Sequence, residues 1–164
     1  NGHPDYVNLN PELTSDTAIV IGAGNVAMDC ARLLAVEPSE LDTTDTADHA
    51  INAFKQSKIR KVYICARRGA EFAAFTSPEL RELPKLEHTD VVIGECDIED
   101  AIKRAESSGD IPKDVKSNLD AMMAIAKTPK KNQERTMNFH FLAFNLPNLN
   151  SFVFSVIQNV WFST

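Results

Sequence analysis

Length, composition and charge already limit what this protein can be. Its 164 residues, 43% of them hydrophobic, are enough for one domain with its own core. The net charge of -6 argues against nucleic acid as a partner, because binding to a phosphate backbone needs a basic surface. No apolar run reaches the roughly 18 residues of a membrane span, and no secretory signal opens the chain. We therefore expect a soluble intracellular protein.

The three cysteines, Cys30, Cys65 and Cys96, lie far apart in the sequence. Their odd number does not suit a paired framework, and two of them fall in apolar segments predicted as a helix and a strand. We therefore expect buried reduced thiols rather than disulfides or a metal site.

The first half of the chain alternates strand and helix signals. Residues 17–21 form a short β-branched run, and residues 25–35 repeat apolar side chains at helical spacing until the chain nears Pro38. A second helix is predicted over residues 45–54 and a second strand over residues 61–66. A strand, a helix and a strand in this order predict a parallel crossover.

The second half continues this alternation less clearly. Residues 78–83 predict a short helix with proline in its first turn, and residues 91–93 a third strand. A helix is predicted from near Pro112 to Thr128, and residues 138–144 give an imperfect strand signal. The apolar stripe of this helix consists of Val115, Leu119, Met122 and Met123, and its two methionines are interpreted as core filling rather than cofactor contacts. The predicted fold class is α/β, a Rossmann-like, doubly wound parallel sheet.

A glycine motif follows the first predicted strand at once. The run Gly22-Ala23-Gly24-Asn25-Val26-Ala27 matches the G-x-G-x-x-G/A template. Gly22 permits the tight turn, Gly24 lets the backbone approach a pyrophosphate, and Ala27 allows close packing of helix on strand. The phosphates would then lie at the helix N-terminus, which favours negative charge. A strand before the motif and a helix after it strengthen this interpretation.

Two arginines end the second predicted strand. An NAD-preferring site usually carries an acidic residue here for the ribose 2′-OH, whereas Arg67 and Arg68 suit a 2′-phosphate, so NADP is favoured over NAD. A solvated basic pair after a strand is the alternative. About 40 residues separate the turn from the arginines, where about 20 are usual. We assign the excess to the polar stretch over residues 37–45 and to the helix after it.

Four segments occur in the order found in one family of flavoenzymes. They are Asn1-Gly2-His3-Pro4, residues 20–29, Ala66-Arg67-Arg68-Gly69 and residues 75–82 (FTSPELRE). In these segments the chain resembles the adrenodoxin reductase family of ferredoxin–NADP reductases, from Asn1 to about Ala143. Residues 44–47 resemble the family's insertion, which accounts for the long spacing. The resemblance implies the NADP-binding domain of a two-domain flavoprotein.

The resemblance also implies a set of nucleotide-binding residues. Those implied or indicated by the motif are Gly22, Gly24, Asn25, Val26, Arg67, Arg68 and Glu79. The glycine turn and the start of the following helix would line the pyrophosphate, and the arginines would hold the 2′-phosphate. We identify no catalytic residue and no metal ligand, because no nucleophile–base pair, paired carboxylates or ligand cluster is recognisable.

Three positions outside the glycine turn and the arginine pair have roles that the resemblance alone implies. Glu79 would lie near the nucleotide's ribose, and its alternative is an exposed helix carboxylate. Arg81 resembles a position that faces the iron–sulfur partner, but Asp110 and Asp114 fall where some relatives are more basic, which puts docking by this chain in doubt. His3 lies in a segment similar to the crossover from the flavin domain, so a hinge role is favoured over catalysis.

The resemblance divides the chain into three parts. Residues 1–16 would be the crossover from a flavin domain, residues 17–143 the NADP-binding domain, and residues 144–164 an atypical tail that no longer resembles the family. The tail contains no Asp, Glu, Lys or Arg, and we expect it to be a poorly packed appendage. The family's FAD-binding glycine fingerprint is absent, so the fragment alone should not hold FAD or be active.

The function implied is transfer of electrons from NADPH through FAD to a ferredoxin- or adrenodoxin-type iron–sulfur protein. In a eukaryote the resemblance implies the mitochondrial matrix, and otherwise the cytoplasm. One alternative is a stand-alone, non-catalytic NADP-binding module. Another is the NADP half of a different FAD-dependent pyridine-nucleotide oxidoreductase, although such enzymes do not share the segment over residues 75–82.

Overall fold

The computed structural model of the chain describes residue 5 and residues 11–142. Its sheet has four strands, β1 (Thr17–Ile21), β2 (Lys61–Cys65), β3 (Thr89–Val92) and β4 (Arg135–His140). They pair in parallel in the order β1-β2-β4-β3, so the last strand inserts between the second and the third. The described part of the chain is thus an α/β domain of the Rossmann-like type, as the sequence predicts.

Five α-helices connect and cover these strands in the described part. They are α1 (Asn25–Ala35), α2 (Asp48–Lys55), α3 (Ser77–Glu82), α4 (Glu95–Ser107) and α5 (Lys113–Ala126). The bounds predicted for the first strand and the first helix are those observed. The second helix begins three residues later than predicted, after a 3₁₀ turn at Pro38–Thr43. Helix α4 was not predicted, and β4 begins three residues before the predicted strand.

The hydrophobic core lies against one face of the sheet. Val62 and Ile64 of β2 pair in register with Met137 and Phe139 of β4, and all four are at most 3% exposed. Because side chains alternate along a strand, the residues between them lie on the other face. Of those, Tyr63 is only half-buried, with its ring centroid 5.4 Å from that of the half-buried His140. The helices therefore bury one face of the sheet more completely than the other.

The cysteines correct one expectation from the sequence. Cys65 at the end of β2 is buried, and this burial raises the pKa of its thiol. Cys30 and Cys96 are exposed. Cys30 lies on the outer side of α1, because Met28 and Ala31 occupy the core side. The expectation that all three are buried thiols is therefore wrong for two of them.

A buried carboxylate closes the turn before β4. Asp90 accepts hydrogen bonds from the backbone N–H groups of Lys131 (2.9 Å) and Gln133 (2.8 Å), around a left-handed residue, Asn132. Burial by itself would raise the pKa of Asp90, but the backbone hydrogen bonds from this turn outweigh it, and the pKa is lowered. A carboxyl with a lowered pKa stabilises the fold above its unfolded-state pKa of about 3.9, and this contribution is lost as the pH falls through the folded-state value.

We therefore predict that Asp90→Asn destabilises the protein most at neutral pH. The loss should be about 1–2 kcal/mol at pH 7, because the charge-assisted hydrogen bonds from two backbone N–H groups are weakened. Urea unfolding of both proteins at pH 7, 5 and 3 measures it. The difference in the free energy of unfolding should shrink towards pH 3, and a pH-independent difference would contradict the assignment.

Candidate nucleotide-binding site

The glycine turn begins where β1 ends. Gly22 has a φ of +139°, a region that L-residues rarely adopt, and its N–H donates to the carbonyl of Cys65 at 3.0 Å. A Cβ built at Gly22 would lie 3.4 Å from that of Ala27, so the small third position of the motif packs directly beneath the turn. This turn therefore requires glycine for its backbone, and it lies at the carboxyl edge of the parallel sheet.

Gly24 is a glycine for a different reason. Its φ of -127° suits any residue, and a Cβ built there meets no atom within 4 Å. Neither backbone strain nor packing within the described residues explains the absence of a side chain. The missing side chain leaves open space in front of α1, where the template places the pyrophosphate.

The N-terminus of α1 is open to an anion. Gly24 is its N-cap without a side-chain hydrogen bond, and the first turn holds no acidic residue. The first N–H groups of a helix have no intrahelical acceptor, so those of Asn25 and Val26 can donate to a ligand. A groove of about 560 Å³ lies there, lined among others by Ile21, Val26 and Ala74. Val26 is 78% exposed, which leaves its side chain accessible to a ligand.

The turn is attached to the segment before α3. The N–H of Ala74 donates to the carbonyl of Ala23 at 2.7 Å, and the N–H of Thr76 donates to Oδ1 of Asn25 at 3.0 Å. The side-chain oxygen of Asn25 is therefore engaged within the protein. Asn25 positions the segment that leads into α3, while its backbone N–H remains at the open helix end.

A buried amide on α5 supports the same segment. Nδ2 of Asn118 donates to the carbonyl of Phe75 at 2.7 Å, and the hydroxyl of Ser77 donates to Oδ1 of Asn118 at 2.6 Å. Asn118 was not among the residues singled out from the sequence. It occupies the same helical face as Val115 and Met122, three residues before and four after, and a polar residue within an apolar stripe is the signal that points to it.

Arg67 and Arg68 follow the end of β2, and both are exposed. Ile21 pairs with Cys65, so the arginines and the glycine turn lie at the same edge of neighbouring strands. No carboxylate among the described residues pairs with either guanidinium. That of Arg68 lies 4.9 Å from the ring centroid of Phe72, a cation–π contact that orients it. The backbone is fixed as well, because the Arg68 carbonyl accepts a hydrogen bond from the N–H of Leu142.

Glu79 lies in the first turn of α3, three residues after the hydrogen bond that joins Thr76 to the glycine turn. The residue is partly buried, and its Oε2 is buried without a hydrogen-bond partner in the described part of the chain. Unpaired buried oxygens are uncommon, and burial keeps this one out of contact with solvent. Arg81 is exposed near the end of the same helix. His3 lies outside the described residues.

Metal-binding clusters and membrane-crossing helices are two further features that bear on function. Residues 5 and 11–142 contain no group of three or more His, Cys, Asp or Glu side chains that could hold a metal ion. Among the same residues, no helix combines the length and the apolar character needed to cross a membrane.

A parallel sheet with a glycine turn, a helix N-terminus without a side-chain cap and two exposed arginines at its carboxyl edge is the arrangement of a Rossmann-type dinucleotide-binding domain. No protein-family model matches the chain. It is 40% identical over 155 residues to NADPH:adrenodoxin oxidoreductase, mitochondrial, of Arabidopsis thaliana, covering 90% of this chain. It is 39% identical over 142 residues to NADPH-ferredoxin reductase FprA of Mycobacterium tuberculosis, covering 87%.

A solved structure shows the same relationship. Mycobacterium tuberculosis FprA in complex with NADPH matches with a TM-score of 0.75 and 39% identity, covering 85% of this chain and 30% of that one. The chain belongs to the adrenodoxin reductase family. It spans 31% of the length of the Arabidopsis and mycobacterial relatives.

Proposed function

We propose that this chain binds NADP(H), with the pyrophosphate at the N-terminus of α1 and the 2′-phosphate at Arg67 and Arg68. The observation that carries the proposal is the pair of exposed arginines, which have no acidic partner among residues 5 and 11–142 and lie beside a glycine turn whose second glycine faces open space. The complex of the relative FprA with NADPH supports it.

Each element of the site has a separate task. The turn at Gly22 brings the chain into α1, Gly24 admits the phosphates, and the N–H groups of Asn25 and Val26 donate to them. Glu79, in the first turn of α3, would lie near the nucleotide's ribose. The 2′-phosphate is the only group by which NADP differs from NAD, so selectivity depends on the two arginines.

For a full-length protein of this family we propose an oxidoreductase in which this domain orients NADPH towards FAD. The chemistry supplied by bound FAD would be acceptance of a hydride from NADPH and release of its two electrons one at a time to a ferredoxin- or adrenodoxin-type iron–sulfur protein, while the residues of this chain would hold and orient NADPH. The names of the Arabidopsis and mycobacterial relatives, an adrenodoxin oxidoreductase and a ferredoxin reductase, support this electron path. Two relatives, from Arabidopsis and cattle, are named as mitochondrial, which supports a mitochondrial location in a eukaryote; we propose the matrix.

We place the nucleotide-binding unit at residues 17–143. The crossover proposed for residues 1–16 is described only at residue 5 and residues 11–16, and the tail proposed for residues 144–164 lies outside the described residues. A stand-alone module that only binds NADP(H) is the second candidate, since all groups proposed here bind or orient the nucleotide.

Titration calorimetry of the 164-residue chain with NADP⁺ and NAD⁺ tests the binding proposal. We expect NADP⁺ to bind at least about tenfold more tightly, because each charge-assisted hydrogen bond contributes about 1.5–3 kcal/mol. The preference should weaken with rising salt, since the contacts to the 2′-phosphate are ionic and exposed. Equal affinities for the two nucleotides at low salt would overturn the proposal.

A further inference from the structure

An ion pair lies next to the backbone that carries Arg67 and Arg68. Nε and Nη2 of Arg104 on α4 donate to Oε1 and Oε2 of Glu71 at 2.6 and 3.0 Å, a bidentate arrangement. The Glu71 side chain is only 7% exposed, whereas that of Arg104 is 41% exposed. The hydrogen bond that Arg104 donates to Glu71 raises the pKa of Arg104, which therefore keeps its positive charge at neutral pH.

The ion pair packs against the backbone of Gly69, the residue after the two arginines. A Cβ built at Gly69 would collide with both the Glu71 carboxylate and the Arg104 guanidinium. Gly69 directly follows Arg68, so the pair closes over the peptide next to the proposed phosphate-binding residues. The lack of a side chain at Gly69 is what permits this approach.

Glu71 also belongs to the turn that orients one of the arginines. The 3₁₀ turn Ala70–Phe72 contains both Glu71 and Phe72, and the Phe72 ring faces the Arg68 guanidinium. Fixing Glu71 from α4 therefore fixes the ring on which Arg68 lies. The contact reaches across 33 residues of sequence and connects α4 to a site otherwise built from β1, β2, α1 and α3.

The ion pair also determines whether the Glu71 carboxylate can interact with a ligand or with the two arginines. Without a partner, a buried carboxylate three residues from Arg68 would repel a dianionic phosphate or would itself pair with Arg67 or Arg68. In the described part of the chain Arg104 pairs with this carboxylate and neutralises its charge. Neutralisation leaves the two arginines available to a ligand.

We infer that Arg104 is a positioning and specificity-determining residue for the 2′-phosphate: by pairing with Glu71 it holds the arginine-bearing turn in place and keeps that carboxylate from competing with the phosphate. This inference rests on the proposed function. The inference predicts that removing the positive charge of Arg104 weakens NADP⁺ binding far more than NAD⁺ binding, although Arg104 lies on another helix.

Three variants of the full chain test it, Arg104→Gln, Glu71→Gln and the double variant, each titrated with NADP⁺ and NAD⁺. We expect Arg104→Gln to weaken NADP⁺ binding by about tenfold and to change NAD⁺ binding by less than about twofold. The uncompensated negative charge of Glu71 would repel the 2′-phosphate, which NAD⁺ lacks. Glu71→Gln should retain the preference for NADP⁺, and the double variant should regain most of it. Arg60→Gln is the matched control, since it breaks the Arg60–Glu134 pair at the other end of β2.

The outcomes separate this inference from the proposed function. If the unaltered chain binds both nucleotides equally, the proposed function fails and the inference fails with it. If the unaltered chain prefers NADP⁺ but Arg104→Gln keeps that preference, or the double variant is as impaired as Arg104→Gln, only the inference is overturned. If the ion pair only stabilised the fold, both single variants would lose stability and would bind both nucleotides more weakly to the same extent. Thermal unfolding and the same titrations would reveal this.

Discussion

Replacing both Arg67 and Arg68 by alanine is expected to abolish the preference for NADP⁺ over NAD⁺. The 2′-phosphate would lose all of its proposed charge-assisted partners, at about 1.5–3 kcal/mol for each hydrogen bond, so NADP⁺ affinity should fall by about 100-fold or more. NAD⁺ affinity should change little. Because both side chains are exposed and form no ion pair with a described residue, the substitution should leave the fold intact.

Calorimetric titration with the two nucleotides measures the effect, and far-ultraviolet circular dichroism checks the fold. The matched control is Lys130→Ala with Lys131→Ala, which also removes two neighbouring positive charges but lies in the turn before β4. That control should retain the preference. A double arginine variant that still prefers NADP⁺ would refute the assignment, and an equal loss in the lysine control would assign the effect to overall charge.

The local features of this site could be predicted from the sequence because their signals are local. The bounds of β1 and α1 follow from an apolar run, the glycines after it and Pro38 beyond the helix. Arg67 and Arg68 are exposed because they follow the carboxyl end of strand β2. In each case a few consecutive residues carry both the signal and the structure.

The supports of the site could not be predicted because they join distant residues. Asn118 contacts Phe75 across 43 positions and Arg104 contacts Glu71 across 33, and no periodicity in the sequence specifies such pairs. Helix α4 was missed for a related reason. Ile98 and Ala101 are its buried residues, a stripe too narrow among charged side chains to give a clear helical pattern.

The two glycines of the motif should respond in opposite ways to substitution. Gly24→Val is expected to reduce NADP⁺ binding by about 100-fold or more while lowering the stability by no more than about 1 kcal/mol, because valine is only a poor N-cap in a backbone conformation it readily adopts. The added side chain would occupy the open space in front of α1 that the pyrophosphate needs. NAD⁺ should be affected equally, since both nucleotides carry the pyrophosphate.

Gly22→Ala provides the contrast. Its φ of +139° is strained for alanine, at about 1–3 kcal/mol, and the new methyl group would press on Ala27. Thermal unfolding and nucleotide titration of both variants therefore distinguish the roles: Gly22→Ala loses stability first, and Gly24→Val loses binding alone. If Gly24→Val binds both nucleotides as tightly as the unaltered chain, the pyrophosphate does not approach this turn, and the anion site at the N-terminus of α1 must be abandoned.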